Sequence, residues 1–255
     1  MAGVQGRVAL VTGAGSESGI GFACAKLLQA AGARVAITST TGRIFDRQKE
    51  LGGSCHAATA DLTRPEQVAA LVAEVEAEVG PIDIVVNNAG MVQTGHDLPG
   101  TPLRETSDEA WNFGLAISLT SAFNVTRAVL PGMRARRYGR IVQMSSVTGP
   151  VVGIAGSSTY AAAKAGMLGM TRALAIEEGG HGITANCIGP GWIQTGSSSE
   201  DEITAGRYTP VGRPGTPEEI GHVAVFLASE EASYLTGQMI VVDGGNTIQE
   251  YKVAL

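Results

Sequence analysis

The sequence predicts a doubly wound α/β fold: one domain, residues 1–255, with a parallel sheet of about seven strands and helices on both faces. Three observations carry this. Short apolar runs alternate with longer helical patterns along the chain. The first apolar run passes through a glycine-rich turn straight into a helical pattern. No linker, low-complexity run or internal repeat divides the 255 residues. Strands covered on both faces read as near-continuous apolar runs, which is how these runs look.

The expected strands lie near residues 7–12, 34–38, 54–60, 82–87, 139–145, 182–188 and 238–242. A helix over 22–31 follows the first, and the longest helical patterns cover 108–136 and 158–178. Three helix starts have capping-box spacing: Thr63 with Glu66, Thr106 with Glu109, and Thr216 with Glu219, with Pro65 and Pro217 in the first turn of two of them. Segments 91–107 and 196–215 are rich in Gly, Pro and Thr and lack periodicity, as binding loops do, and are expected to set substrate specificity.

The formal charge of −6 argues against general affinity for nucleic acid, which needs clustered cations. The one basic cluster, Arg134, Arg136, Arg137 and Arg140, suits a solvated helix C-terminus; the competing reading is a dock for an acidic carrier or a phosphate. Cys24, Cys55 and Cys187 show neither paired nor metal-ligand spacing and read as small core residues in a reducing compartment. No metal site is expected. The start of the chain lacks the pattern of a secretory leader and no uninterrupted apolar run reaches about 18 residues, so a cytoplasmic protein without a membrane span is expected.

The chemistry concentrates between Ser146 and Lys164. Tyr160 and Lys164 stand at i and i+4 in a run of helix formers, so they share a face. An ammonium beside a phenol favours the phenolate and readies the tyrosine for acid/base work. Ser146, at the end of a strand, is positioned by sequence to polarise a carbonyl beside that phenol. Alone, the pair reads equally as a surface contact. The turn Val11-Thr-Gly-Ala-Gly-Ser-Glu-Ser-Gly-Ile-Gly21 between strand and helix suits a pyrophosphate at a helix N-terminus, although glycine-rich turns are common.

Taken together, these residues resemble the short-chain dehydrogenase/reductase family over nearly the whole chain. The resemblance rests on Thr12-Gly13 to Gly19-Ile20-Gly21, Asp61-Leu62, Asn87-Asn-Ala89-Gly90, Ser146 with Tyr160 and Lys164, Pro190-Gly191-Trp-Ile193-Gln-Thr195, and Asp243-Gly-Gly. Within the family it is similar to 3-oxoacyl-[acyl-carrier-protein] reductases and related ketone reductases, through 210–219 and 237–245. It implies a Rossmann-type fold and reversible reduction of a small-molecule or acyl-thioester carbonyl to a secondary alcohol. Tyr160 would be the acid/base and Ser146 the carbonyl partner, while Lys164 would lower the tyrosine pKa and hold the nicotinamide ribose. Asp61 and Leu62 would contact the adenine, Asn87 would stiffen the strand ends, and Ile193 and Thr195 would meet the carboxamide. It also implies a homo-oligomer, a tetramer, built on the helices at 108–136 and 158–178.

Two departures stand out. Five residues separate Gly13 from Gly19 where the family has three, which brings Glu17 close to the phosphate turn. Ser118 stands where the family has an asparagine that holds a relay water, so restoring asparagine is expected to leave activity unchanged or raise it. The cofactor is expected to be NADP(H), with NAD(H) the alternative. The second strand ends at Ser39, where NAD-selective relatives carry an acid, and Ser39, Thr40 and Arg43 suit a 2′-phosphate.

Overall fold

Seven parallel strands form one sheet in the order β3-β2-β1-β4-β5-β6-β7, in a computed structural model that describes residues 3–52, 55–90 and 100–250. They are β1 (Val8–Thr12), β2 (Arg34–Ser39), β3 (His56–Thr59), β4 (Ile84–Asn87), β5 (Gly139–Met144), β6 (Ile183–Pro190) and β7 (Met239–Val242). The chain winds outward from β1 to β3, then returns to the other side of β1 for β4. At that reversal the connections leave on opposite faces, and a crevice opens beyond the strands' C-terminal ends.

The helices are α1 (Ile20–Ala30), α2 (Ile44–Leu51), α3 (Pro65–Glu78), α4 (Asp108–Leu115), α5 (Ser121–Arg136), α6 (Ser158–Glu178), α7 (Glu200–Arg207) and α8 (Pro217–Ala228). They cover both faces of the sheet. Ala9 and Val11 of β1 join Cys24, Leu28, Ile220 and Ala224 of α1 and α8 in one apolar layer. Val8 and Leu10 point the other way, to Val68, Val72, Val125 and Met133 of α3 and α5. Alternate residues thus enter different cores, and both cores demand apolar side chains, which explains the unbroken apolar runs.

Of the three expected capping boxes, only Thr216 with Glu219 forms, at 3.3 and 2.8 Å. Thr63 instead bonds Asp61, and α3 starts at Pro65 without a side-chain cap. At α4 the cap is Ser107, which accepts from the Ala110 amide, while Thr106 donates to the Pro102 carbonyl. An unforeseen box, Ser199 with Glu202, starts α7 inside the segment expected to be a loop. The helical pattern at 108–136 is interrupted by a π turn, Ala116–Thr120, between α4 and α5. That stretch is long and apolar enough to cross a membrane by composition, but half of it is buried inside the protein.

Arg134, Arg136 and Arg137 stand exposed at the end of α5, as a solvated helix end predicts, and Arg140 alone departs from that reading. Arg134 pairs with both carboxylate oxygens of Glu178 at 2.8 and 3.0 Å, Arg136 donates to the Ile82 carbonyl, and Arg137 donates to that of Gly180. Arg140 is 3% exposed and donates to the carbonyls of Ser229, Gly139 and Gly182 and to Glu230. The Tyr138 ring lies between the guanidinium groups of Arg140 and Arg7, at 4.4 and 3.6 Å. These cations hold the N-terminal edge of the sheet together.

Candidate active site

The site grows from the junction of β1 and β4. Thr12 Oγ1 accepts from the amides of Asn88 and Ala89 at 3.0 and 3.1 Å, and the Asn88 side-chain amide donates to the carbonyls of Thr12 and Gly13. Gly13 has φ +67°, and a Cβ there would come within 2.7 Å of the Ala89 backbone, so only glycine fits. A Cβ on Gly21 would fall 2.7 Å from the Gly13 carbonyl oxygen. Gly19 is the N-cap of α1 and brings no side chain to that helix end. The turn is thus a backbone cradle held from β4.

Asn87, expected to stiffen the strand ends, is buried in β4 and donates to Thr126 of α5. Its neighbour Asn88 ties the turn down. Sequence reasoning missed Thr12 and Asn88 as positioning residues, although both lie inside the motifs it singled out. Glu17, in the lengthened loop, is 79% exposed, with its carboxylate 3.9 Å from Arg47 of α2, so it extends away from the cradle.

Beyond β2, the Ser39 hydroxyl donates to the Thr41 carbonyl at 2.8 Å, and Arg43 Nε donates to Thr41 Oγ1 at the start of α2. Thr40 is exposed beside them. The Ala60 amide donates to the Ser39 carbonyl, which brings the ends of β2 and β3 side by side. Asp61 accepts from the amide and hydroxyl of Thr63 and stands near this edge. Leu62, expected at the adenine, turns its side chain into the core, and its carbonyl accepts from Asn124.

Gly90, at φ +124°, follows β4, and the Ser118 hydroxyl donates to its carbonyl. Ser118 is 3% exposed in the π turn, and a Cβ on Gly90 would meet its Cα at 2.6 Å. Neither residue, nor Ala89, lines the cavity described next. Little room surrounds Ser118 for the larger asparagine.

At the end of β5, the Ser145 amide donates to the Ile188 carbonyl and its hydroxyl to the carbonyl of Lys164, which locks α6 to the sheet. The Ser146 hydroxyl accepts from the Thr148 amide. Lys164 Nζ donates to the Met144 carbonyl at 2.7 Å and lies 5.6 Å from the centre of the Tyr160 ring. Burial pulls the Lys164 pKa down from 10.5 to about 8, with Cys187 acting in the opposite sense. Burial also raises Tyr160, against the Ser146 hydrogen bond and with a smaller upward push from Glu202. The expected lowering of the tyrosine by Lys164 is therefore not found in this structure: desolvation dominates, and the ammonium is turned to Met144.

Ser146, Tyr160 and Lys164 share a cavity of about 1020 Å³. Ile20, Asn88, Pro190, Gly191, Ile193 and Thr195 also line it, together with parts of 100–107 and 192–208. Residues 91–99 of the first expected substrate loop lie outside the described residues. Gly191 bonds the Val242 carbonyl through its amide, and Ile193 bridges to Gly215, so the Pro190 to Thr195 segment is anchored to β7 and the chain before α8. The expected residues Gly13, Gly19, Gly21, Ser39, Thr40, Arg43 and Asp61 are not in this cavity but follow the edge from β1 to β3. Among the described residues, no group of three or more His, Cys, Asp or Glu is arranged to hold a metal ion.

A glycine cradle at the reversal of a parallel sheet, open to a cavity along the C-terminal edge, defines a Rossmann-type nucleotide-binding fold. Residues 13–247 match the family described as Enoyl-(Acyl carrier protein) reductase. The chain is 39% identical to Oxidoreductase UcpA of Escherichia coli (strain K12), covering 98% of each chain. It is also 39% identical to 3-oxoacyl-[acyl-carrier-protein] reductase FabG of Vibrio cholerae, covering 95% of this chain and 98% of that one. A crystal structure from Agrobacterium tumefaciens, described as a candidate gluconate dehydrogenase, superposes with a TM-score of 0.87 at 34% identity and covers 96% and 97% of the two chains. The protein belongs to the short-chain dehydrogenase/reductase family and is an oxidoreductase acting on a small molecule.

Proposed function

We propose that the protein is an NADP(H)-dependent reductase that interconverts a ketone and a secondary alcohol through Ser146, Tyr160 and Lys164. The observation that carries this is the meeting of those three side chains in one cavity beside the glycine cradle. The Tyr160 phenol, whose pKa burial raises from its ordinary 10, is protonated at neutral pH, as a proton donor must be.

The nicotinamide supplies the hydride in reduction and takes it up in oxidation. Ser146 and Tyr160 donate hydrogen bonds to the substrate oxygen as charge develops on it, and Tyr160 then gives up its proton. The phenolate left behind is where Lys164 acts. With a pKa of about 8, the lysine is mostly an ammonium at neutral pH, and it stabilises the charge that its neighbour acquires. The turn from Gly13 to Gly21 would offer amides to the pyrophosphate, Asp61 would meet the adenine, Lys164 would hold the nicotinamide ribose, and Ile193 and Thr195 would meet the carboxamide. Ser118 acts indirectly, by holding the loop at Gly90.

The preference for NADP(H) rests on the lack of an acid at the end of β2, where Ser39, Thr40 and Arg43 stand instead. One observation favours NAD(H): the Ser39 hydroxyl already donates to Thr41. The deciding measurement is kcat/KM for NADPH against NADH with one ketone, in the wild type and in Ser39→Asp. A wild-type preference for NADPH that collapses in the variant is expected; equal efficiencies or a preference for NADH in the wild type would overturn the assignment.

We further infer a cytoplasmic homotetramer. Exposed Phe123 on α5 and Ile176 on α6 leave apolar side chains on the outer helix faces, as pairing between copies requires. Light scattering that returned a 26.1 kDa monomer would refute the assembly, and recovery of the native protein from a secreted fraction would refute the compartment.

A further inference from the structure

The substrate half of the cavity has a charge pattern that bears on what it accepts, on the reading that Tyr160 is the acid/base. The first turn of α7 brings Asp201 and Glu202 into the cavity wall. Glu202 is held in place by the Ser199 amide, which donates to its carboxylate at 2.8 Å. It lies close enough to Tyr160 to push the phenol's pKa upward. Glu105 also lines the cavity, and Arg104 offsets its charge at 2.6 Å. Among the described residues, Lys164 is the only lysine or arginine in the lining, and its ammonium is turned to Met144 at the cavity floor.

Nothing described in this wall would pair with an anion on the substrate. The arginines nearest in sequence, Arg104 and Arg207, stand outside the lining, and Arg104 is paired with Glu105. The rest of the wall carries hydroxyls, among them Thr101, Thr148, Ser157, Thr159 and Thr204, and the apolar side chains of Val152, Ile154 and Trp192. Carboxylates are acceptors only, whereas hydroxyls donate and accept, so the best-matched ligand is one rich in hydroxyl donors with C–H faces to lay on the apolar side chains.

We propose that the enzyme's substrate is an uncharged polyhydroxylated alcohol or its keto form, and that Asp201 and Glu202 select against substrates bearing a carboxylate. The two residues would accept hydrogen bonds from substrate hydroxyls and repel an anion that approaches Tyr160. This separates the chain from the gluconate dehydrogenase description given to its structural neighbour, since gluconate is an anion.

The test uses sorbitol and gluconate, which differ only in a hydroxymethyl group against a carboxylate at C1. Each is oxidised by the full-length protein with NADP+ and with NAD+. The expected result is a kcat/KM for sorbitol at least about tenfold above that for gluconate. In Asp201→Asn/Glu202→Gln the ratio is expected to narrow by at least about threefold through better use of gluconate. Glutamine keeps the helix cap, so folding is not at stake. Equal or better use of gluconate by the wild type, no turnover of sorbitol, or a ratio unmoved in the double variant would overturn the proposal. Turnover of some other ketone that depends on Tyr160, with sorbitol inert, would sink this inference alone. Loss of the underlying reading would show as activity that survives Tyr160→Phe.

Discussion

The two edges of the sheet gather similar side chains and use them differently. At the N-terminal edge, Arg140 donates to three backbone carbonyls and to Glu230, Arg7 pairs with the same carboxylate, and Tyr138 fills the space between the two guanidinium groups. At the C-terminal edge, Lys164 is just as buried as Arg140 but has a single hydrogen bond among the described residues, to Met144. Tyr160 and Ser146 open onto a cavity. Burial of a cation with a full set of partners holds a fold together; burial of one with an incomplete set lowers its pKa and leaves it available for chemistry.

The sharpest way to break this contrast is Tyr160→Phe. Removing one hydroxyl at the upper edge is expected to lower kcat by at least about a thousandfold, or about 4 kcal/mol of barrier. The melting temperature should hardly move. A loss of only a few-fold would mean that the upper edge is as structural as the lower one.

Arg140→Ala should do the reverse. It takes the donor from three carbonyls while Glu230 keeps Arg7, so about 1–3 kcal/mol of stability is expected to go, read from urea unfolding. The variant that remains folded should keep kcat/KM near wild type. A specific loss of turnover at unchanged stability would show that the lower edge reaches the site.

Lys164→Met tests both properties at once. The wild-type lysine has a folded pKa below its unfolded one, so its buried charge costs stability at every pH below about 8, and that cost disappears as pH rises towards 10.5. The drop from 10.5 to about 8 corresponds to at most about 3 kcal/mol. The methionine variant should therefore be inactive yet more stable at pH 7, with its advantage gone near pH 10.5. In the wild type, kcat/KM for reduction should fall above pH 8 as the ammonium is lost, while Tyr160, with its pKa raised, stays protonated there. A stability gain that did not depend on pH would show that packing, and not charge, is responsible.

The smallest expected effect is at Ser118, between the two edges. The sequence reading had asparagine leave activity unchanged or raise it. With Ser118 buried against Gly90, the extra atoms must displace the loop, and about 1–2 kcal/mol of destabilisation is expected in thermal unfolding. An unchanged melting temperature together with a higher kcat would restore the relay reading.

All seven strands were legible in the sequence because the central ones are buried on both faces and rich in apolar residues, and even the edge strand β7, partly exposed, is Met-Ile-Val-Val. Residue roles within a motif were less so. Asn87 and Asn88 are adjacent, and only the geometry at the end of β4 decides that the first turns to Thr126 and the second to the glycine turn. Arg140 was misread as part of a solvated helix end because its partners lie about 90 positions away, at Ser229 and Glu230. The Tyr160 and Lys164 pair was found by spacing, but spacing carries no information about burial, which reverses the tyrosine's shift. Helix α7 carried a readable signal, Ser199 with Glu202, hidden among serines and glycines that suggested a loop.

The π turn at Ala116–Thr120 has a consequence for how this chain can change length. A π turn holds one more residue than an α turn, as shown by the Ser121 amide bonding the Ala116 carbonyl. Deleting a single residue here would cost the helix nothing, because it would relax into regular α geometry. It would, however, rotate α4 by about 100° relative to α5 and shift it by about 1.5 Å. Ala110, on the cavity wall, would swing away, and Ser118 would lose Gly90. Length changes in this five-residue stretch should therefore track altered substrate range among related chains, whereas equal changes at the exposed tips of other connections should leave it alone.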